Sequence, residues 1–169
     1  PAMPHVSTAV VYPGMCFLEG TNVSEGRGTA LPFEVCGAPW IDGAVLAAYL
    51  NGLALPGVRF RPTELLPAAS KYAGEICRGV QIHVTDRVAF RPVTMGLHLL
   101  AALKALYPAE FAWLPQSWEG AHPHIDLLAG TDQVRCTIDA GVGVTELVEG
   151  WVNDVADFEQ TSRQYWLYT

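Results

Sequence analysis

The sequence is poor in charge. Only 16% of its 169 residues are Asp, Glu, Lys or Arg, and 10 basic residues face 17 acidic ones, for a net charge of −7. A nucleic-acid backbone is bound by clustered Lys and Arg, so this balance excludes nucleic acid as the partner. No apolar run approaches the roughly 20 residues needed to span a bilayer, so no membrane span is expected. The opening PAMPHVST has neither a basic n-region nor an apolar h-region, and no signal peptide is read there. A start on Pro1 instead of Met reads as a trimmed or excised end. The four cysteines, Cys16, Cys36, Cys77 and Cys136, form no C-x-x-C pair, which leaves a zinc cage or redox motif without support. Each has apolar or small neighbours and reads as a buried free thiol. Internal repeats and low-complexity tracts are also missing.

Half of the residues are apolar, enough for one compact domain over residues 1–169 with a real core. VSTAVVY (6–12) is β-branched and stops at Pro13-Gly14, which predicts a strand and a turn. WIDGAVLAAYLNG predicts a helix capped by Asp42, with Val45, Leu46, Tyr49 and Leu50 on one face and Asn51-Gly52 as its stop. In PGVRFRPTELLP, Val58 and Phe60 alternate with Arg59 and Arg61. In RGVQIHVTD, Val80, Ile82 and Val84 alternate with Gln81, His83 and Thr85. Both predict strands with one face in the core.

RPVTMGLHLLAALKALYP predicts the best helix, with Pro92 in its first turn, a stripe of Val93, Leu97, Leu100, Leu103 and Tyr107, and Pro108 as its end. Three more helices are expected: HIDLLAG, TDQVRCTIDAG capped by Thr131 or Asp132, and VTELVEGWVNDVADFEQ. The last carries Val148, Trp151, Val155 and Phe158 at helical spacing. The aromatic tail RQYWLYT is expected to pack back onto the domain. These elements together predict an α+β fold: a small mixed sheet covered on one side by helices, with a helix-rich C-terminal half.

The densest chemistry lies in EGTNVSEGRGT (19–29). Glu19 and Glu25 suit a general acid and base pair, as glycoside hydrolysis requires. Arg27 suits a carboxylate or phosphate, and Thr21 and Asn22 suit sugar hydroxyls or an amide. A purely structural alternative pairs Glu19 with Arg27 and closes an Asx turn at Asn22. A phosphate-binding P-loop is rejected, because Arg27 stands where Lys is needed and two carboxylates would repel the ligand. In QIHVTDR, His83, Thr85 and Arg87 share one side of a strand; an ordinary solvated face explains them, unless the strand points into the same cleft. His122 and His124 flank a proline with no third ligand nearby and read as loop. SKYAGE, with Lys71 and Tyr72, reads as loop too.

Several stretches of the sequence together resemble one family. They are YPG.C..EGTNVSEGRGT..PFE..GAPWID, LPGVRFRP, SKYAGE.C.GVQIHVTDR..FRPV..GL.LLAAL..LYP and the closing ELV..W....DFE..R..YWLY. From about Val6 to Tyr168 the chain is similar to the C-terminal part of exo-β-N-acetylmuramidases of the NamZ type, a bacterial family known earlier as DUF1343. The resemblance implies a glycoside hydrolase that releases terminal N-acetylmuramic acid from the non-reducing ends of peptidoglycan fragments. It also implies an N-terminal Rossmann-like domain as partner, with the active site in a cleft between the domains and no cofactor. On this reading Glu19 and Glu25 carry the catalytic carboxylates. Thr21, Asn22, Ser24, Arg27, His83 and Arg87 bind the substrate, with an arginine on the lactyl carboxylate and Trp40 or Tyr72 against the sugar ring. The alternative is a non-catalytic module that binds muropeptides or another domain. An extracytoplasmic and a cytoplasmic location both fit.

Overall fold

The structure, a computed structural model, describes residues 3–116 and 122–167. Its α+β fold is built on a three-stranded sheet in the order β1 (Val35–Ala38), β3 (Cys77–Val84), β2 (Val58–Leu65). Both pairings are antiparallel, so the sheet is not mixed as expected. β1 escapes sequence reading because all four of its residues are buried, which removes the polar alternation that marks a half-exposed strand.

The sheet has two faces. Cys36, Val58, Phe60, Val80 and Ile82 point into the main core. On the reverse face Val35, Leu65 and Cys77 form a small second cluster, closed by Leu31 and Tyr72. Further along that face Arg59 stands opposite His83, and both are exposed.

α2 (Gly43–Gly52) is capped as expected: Asp42 Oδ1 accepts from the backbone N–H of Ala44 and Val45 at 2.9 and 3.1 Å. Its buried face is Leu46, Ala47 and Leu50, whereas Val45 and Tyr49, expected inside, are exposed. α3 (Pro92–Leu106) is the central helix, with Leu97, Leu99, Leu100 and Leu103 fully buried. Neighbouring residues such as Met95, Gly96 and Leu97 are all inside, so the buried face is wider than the expected stripe, whereas Val93, expected in it, is exposed.

The expected strand at 6–12 is instead part of α1 (Val6–Met15), with Pro13 in its last turn. Thr8, Val11, Gly14 and Met15 recur at helical spacing on its buried side. Tertiary packing there outweighs the β preference of Val and Thr. Gly14 makes that packing close: a Cβ on it would fall 1.9 Å from the Pro92 carbonyl oxygen. A Cβ on Gly96 would fall 2.3 Å from the Gly14 oxygen.

Beyond α3 come α4 (His124–Ala129), α5 (Gln133–Asp139), α6 (Val144–Gly150) and α7 (Val152–Ser162). Asp132 holds the N-cap position of α5 without a side-chain cap bond, and the preceding Thr131 supplies one instead, its Oγ1 accepting from Gln133 N–H at 3.2 Å. The single long final helix is broken at Trp151 into α6 and α7, directly after Gly150, a weak helix former. Val155 and Phe158, expected in the core, are exposed, and so are Tyr165, Trp166 and Leu167 of the tail. Tyr168 and Thr169 lie outside the described residues, as does Pro1. All four cysteines are free thiols, but only Cys36 and Cys77 are buried; Cys16 is half-buried and Cys136 exposed. Burial pushes the Cys36 thiol pKa up to about 12. Among the described residues no helix is long and apolar enough to cross a membrane.

Candidate functional site

Residues 16–34 carry the candidate loop, which pairs with the edge of β1 through Ser24. A 3-10 turn, Cys16–Gly20, presents Glu19. Gly20 packs directly on α4, where a Cβ would meet Ile125 at 2.8 Å. Thr21 closes the turn: its hydroxyl donates to Leu18 O at 2.9 Å and accepts from Val23 N–H at 3.1 Å. Asn22 ties the loop to a distant segment, donating to Glu110 O at 2.8 Å and accepting from Ala112 N–H at 3.0 Å. Ser24 exchanges both backbone hydrogen bonds with Gly37 on the outer edge of β1, and its hydroxyl accepts from Gly26 N–H at 3.2 Å. Gly26 then turns the chain at φ +80°, between Glu25 and Arg27.

These anchors bring four charges together. Arg27 Nε and Nη2 donate to Glu19 Oε1 at 3.0 and 2.7 Å. The same Nε lies 3.3 Å from Glu25 Oε1, and Lys71 Nζ donates to Glu25 Oε2 at 3.0 Å. Lys71 also donates to the carbonyls of Leu18 and Val23 at 2.8 and 3.0 Å. Burial pulls the Lys71 pKa below the usual lysine range, while Glu25 beside it pushes the other way. The Arg27 guanidinium lies over the Phe33 ring, 4.8 Å from its centroid, a favourable cation–π geometry. With two carboxylates and two cations, the cluster carries its charges in balance.

The backbone around the cluster is strained. Phe33, Ser70 and Tyr72 take left-handed φ angles of 63°, 71° and 56°, each costing on the order of 1–3 kcal/mol for a residue with a side chain. Such conformations persist where the surroundings dictate them, and here they bracket the charged cluster.

The cluster forms the charged wall of an open pocket of about 220 Å³, completed by Ser70, Leu114, Gln116 and His124. A site that encloses a small ligand usually spans about 300–1,000 Å³. This pocket lies below that range.

The structure sorts the expected site residues. Glu19, Glu25 and Arg27 meet in the pocket. Thr21 and Ser24 are buried and Asn22 is half-buried, and their polar groups are engaged by the protein's own backbone, not aimed at a ligand. His83 lies six residues along β3 from Cys77, about 20 Å at the usual strand rise, and Arg87 lies beyond the strand. Both are exposed and neither lines the pocket. Trp40 donates its Nε1–H to the Tyr72 hydroxyl at 3.3 Å, and both rings pack on the core.

Ser70, Lys71, Gln116 and His124 also line the pocket. The sequence alone reads Lys71 and His124 as loop, because a surface lysine is common and because no third metal ligand lies near the two histidines. Among the described residues, no three His, Cys, Asp or Glu side chains gather where they would hold a metal ion.

Comparison with known proteins places the chain in a family. Residues 10–168 match the family model for the exo-beta-N-acetylmuramidase NamZ, C-terminal. The peptidoglycan beta-N-acetylmuramidase NamZ of Bacillus subtilis (strain 168) is 40% identical over 168 residues, covering 99% of this chain and 39% of its own length. A crystal structure of a DUF1343 family protein from Bacteroides fragilis NCTC 9343 superposes with a TM-score of 0.86 at 31% identity, covering all of this chain and 44% of that one. A second DUF1343 protein from the same organism gives a TM-score of 0.70 at 26% identity, covering all of this chain and 43% of that one. The chain thus spans about two fifths of the length of these relatives.

Proposed function

The chain belongs to the exo-β-N-acetylmuramidase NamZ C-terminal family, and on that premise we propose that it forms one wall of a glycosidase cleft. The cleft acts on terminal N-acetylmuramic acid at the non-reducing ends of peptidoglycan fragments, and its opposite wall comes from the N-terminal, Rossmann-like part of the longer protein. The observation that carries the reading is the open pocket of about 220 Å³ at Glu19, with Glu19, Glu25, Arg27 and Lys71 as its charged side.

Glu19 is the carboxylate best placed to meet substrate. Its side chain is 23% exposed, and Arg27 engages only Oε1. Oε2 is thereby left to face an oxocarbenium-like centre or a glycosidic oxygen. Glu25 has a different part. Its side chain is 3% exposed and each of its oxygens faces a cation, so it orients Arg27 and, through Arg27, Glu19.

Because Arg27 Nε stands between the two carboxylates, they do not straddle a sugar ring. The second catalytic group of the reaction then comes from the opposite wall. Arg27 already has two carboxylate partners, which makes it a holder of Glu19 more than a clamp for the lactyl group. Ser70 and Gln116 are neutral donors in the same pocket and suit the hydroxyl and acetamido groups.

The test is Glu19→Gln in a full-length member carrying this chain as its C-terminal part. Hydrolysis of a chromogenic N-acetylmuramide should lose about 100-fold or more in kcat with KM little changed. An unchanged kcat would remove Glu19 from the chemistry. A second reading, a sugar-binding module without catalysis, draws on the internal pairing of all four charges. It gains if Glu19→Gln leaves turnover intact while weakening muropeptide binding.

A further inference from the structure

The last helix leaves its apolar side uncovered. α7 has no buried residue. Val152, Val155 and Phe158, three residues apart, are 61%, 61% and 72% exposed, and Tyr165, Trp166 and Leu167 follow at 74%, 52% and 88%. A helix of 11 residues draws most of its stability from packing, because in isolation helices shorter than about 12–15 residues are marginal in water. Scattered single apolar residues on a surface are ordinary, but a contiguous patch of this kind marks an interface.

A groove of about 460 Å³ opens onto the same side, walled by Val93, Val148, Trp151, Val152 and Val155 together with the Arg91–Thr94 corner at the start of α3. It shares no residue with the Glu19 pocket.

We propose that α7 and residues 163–167 are a docking arm for the additional chain that the relatives carry outside this segment. The inference rests on the reading above, in which this chain works as part of a longer polypeptide. Three observations identify the occupant. More than half of each relative lies outside the matched segment, since this chain covers 39%, 44% and 43% of them. The family match runs to residue 168, so the arm is part of the family segment and not an appendage to it. A second copy is disfavoured by charge: Glu159 is paired with Arg163 at 2.9 Å, but Asp154 and Asp157 beside the apolar side have no such partner in the arm, and on a chain of net charge −7 pairing two arms would set like charges together. The complementary surface is an apolar patch bordered by Lys or Arg.

The test fuses the N-terminal part of the Bacillus subtilis relative, up to its matched segment, in frame ahead of this chain. The tether removes any concentration limit on docking. Amide hydrogen exchange of residues 152–167 is then compared between the chain alone and the fusion. The arm should exchange about tenfold or more slowly in the fusion. Val155→Asp with Phe158→Asp should restore the faster rate, and because both positions are exposed the circular dichroism of the chain alone should not change.

Equal exchange in both proteins overturns the proposal, as does protection that survives the double substitution. A dimer of the chain alone in light scattering, dissolved by the same substitutions, gives the arm to a second copy and also overturns it. Hydrolysis of a chromogenic N-acetylmuramide by the fusion is read separately. Turnover without protection retires the arm and leaves the muramidase reading standing. Protection without turnover does the reverse.

Discussion

Lys71 Nζ lies 3.0 Å from Glu25 Oε2 across 46 residues of sequence. The same ammonium donates to the carbonyls of Leu18 and Val23, so all three of its hydrogens have acceptors in the loop that presents Glu19. Lys71 is thus a strut between the β2–β3 connection and the site. Lys71→Met keeps the length of the stem and removes the charge, leaving the buried Glu25 with Arg27 as its remaining cation. Removing one partner of a buried pair costs about 3 kcal/mol, to be read as a lower urea midpoint. Lys71→Arg should not restore the loss, because a planar guanidinium cannot aim three donors as an ammonium does. An unchanged midpoint for Lys71→Met would rule out the strut.

Asn22 separates a structural role from a substrate contact. Its amide joins the loop to residues 110 and 112 through one donated and one accepted hydrogen bond. Asn22→Ala removes both hydrogen bonds; Glu110 and Ala112 are exposed, so water takes over part of the pairing and the cost is about 1 kcal/mol. Thermal unfolding should therefore occur at lower temperature in the variant. A group that only touches sugar would leave the unfolding temperature where it was, and that result would return Asn22 to the substrate-binding set.

The fold was legible where burial is one-sided. β2 and β3 alternate cleanly because Val58, Phe60, Val80 and Ile82 face the core while Arg59, Arg61 and His83 face water. Asp42 and Pro92 marked their helix starts through local chemistry. In α1 the valines favour a strand locally, and its helical face becomes visible only against α3. β1 was hidden by complete burial. In the site, the charges of 19–29 announced a cluster, but the sequence could not say that Arg27 stands between the glutamates. Nor could it show that Lys71 arrives from a connection 46 residues away. Thr21, Asn22 and Ser24 looked like sugar ligands because hydroxyls and amides serve loop closure and ligand binding equally well. α7 and the tail were expected inside because apolar spacing reports what a face avoids, not which chain covers it.

Gly14 tests the seam between α1 and α3. An added Cβ would lie 1.9 Å from the Pro92 carbonyl oxygen, a backbone atom that cannot swing aside. Gly14→Ala must push the two helices apart, and overpacking of this kind costs about 1–3 kcal/mol or somewhat more. The helix preference of Ala over Gly, worth about 1 kcal/mol in the opposite sense, does not offset it. A urea midpoint below the parent's is expected, and one equal to or above it would show that the seam has room.

His98 gives stability a pH dependence of known sign. It lies half-buried on α3 beside a groove that also holds Lys104 and Asp139, and burial pulls its pKa below the ordinary 6.5. The unfolded chain protonates this imidazole near its ordinary value while the folded chain still resists. Between the two values the unfolded state therefore binds more protons, and stability rises with pH there. Acidification from about pH 7.5 to about pH 5.5 should therefore lower the urea midpoint. The comparison is with His98→Gln, which cannot take up the proton. The variant should lose less stability than the parent over the same interval. Equal losses would show that the imidazole charges as readily in the folded chain as in the unfolded one.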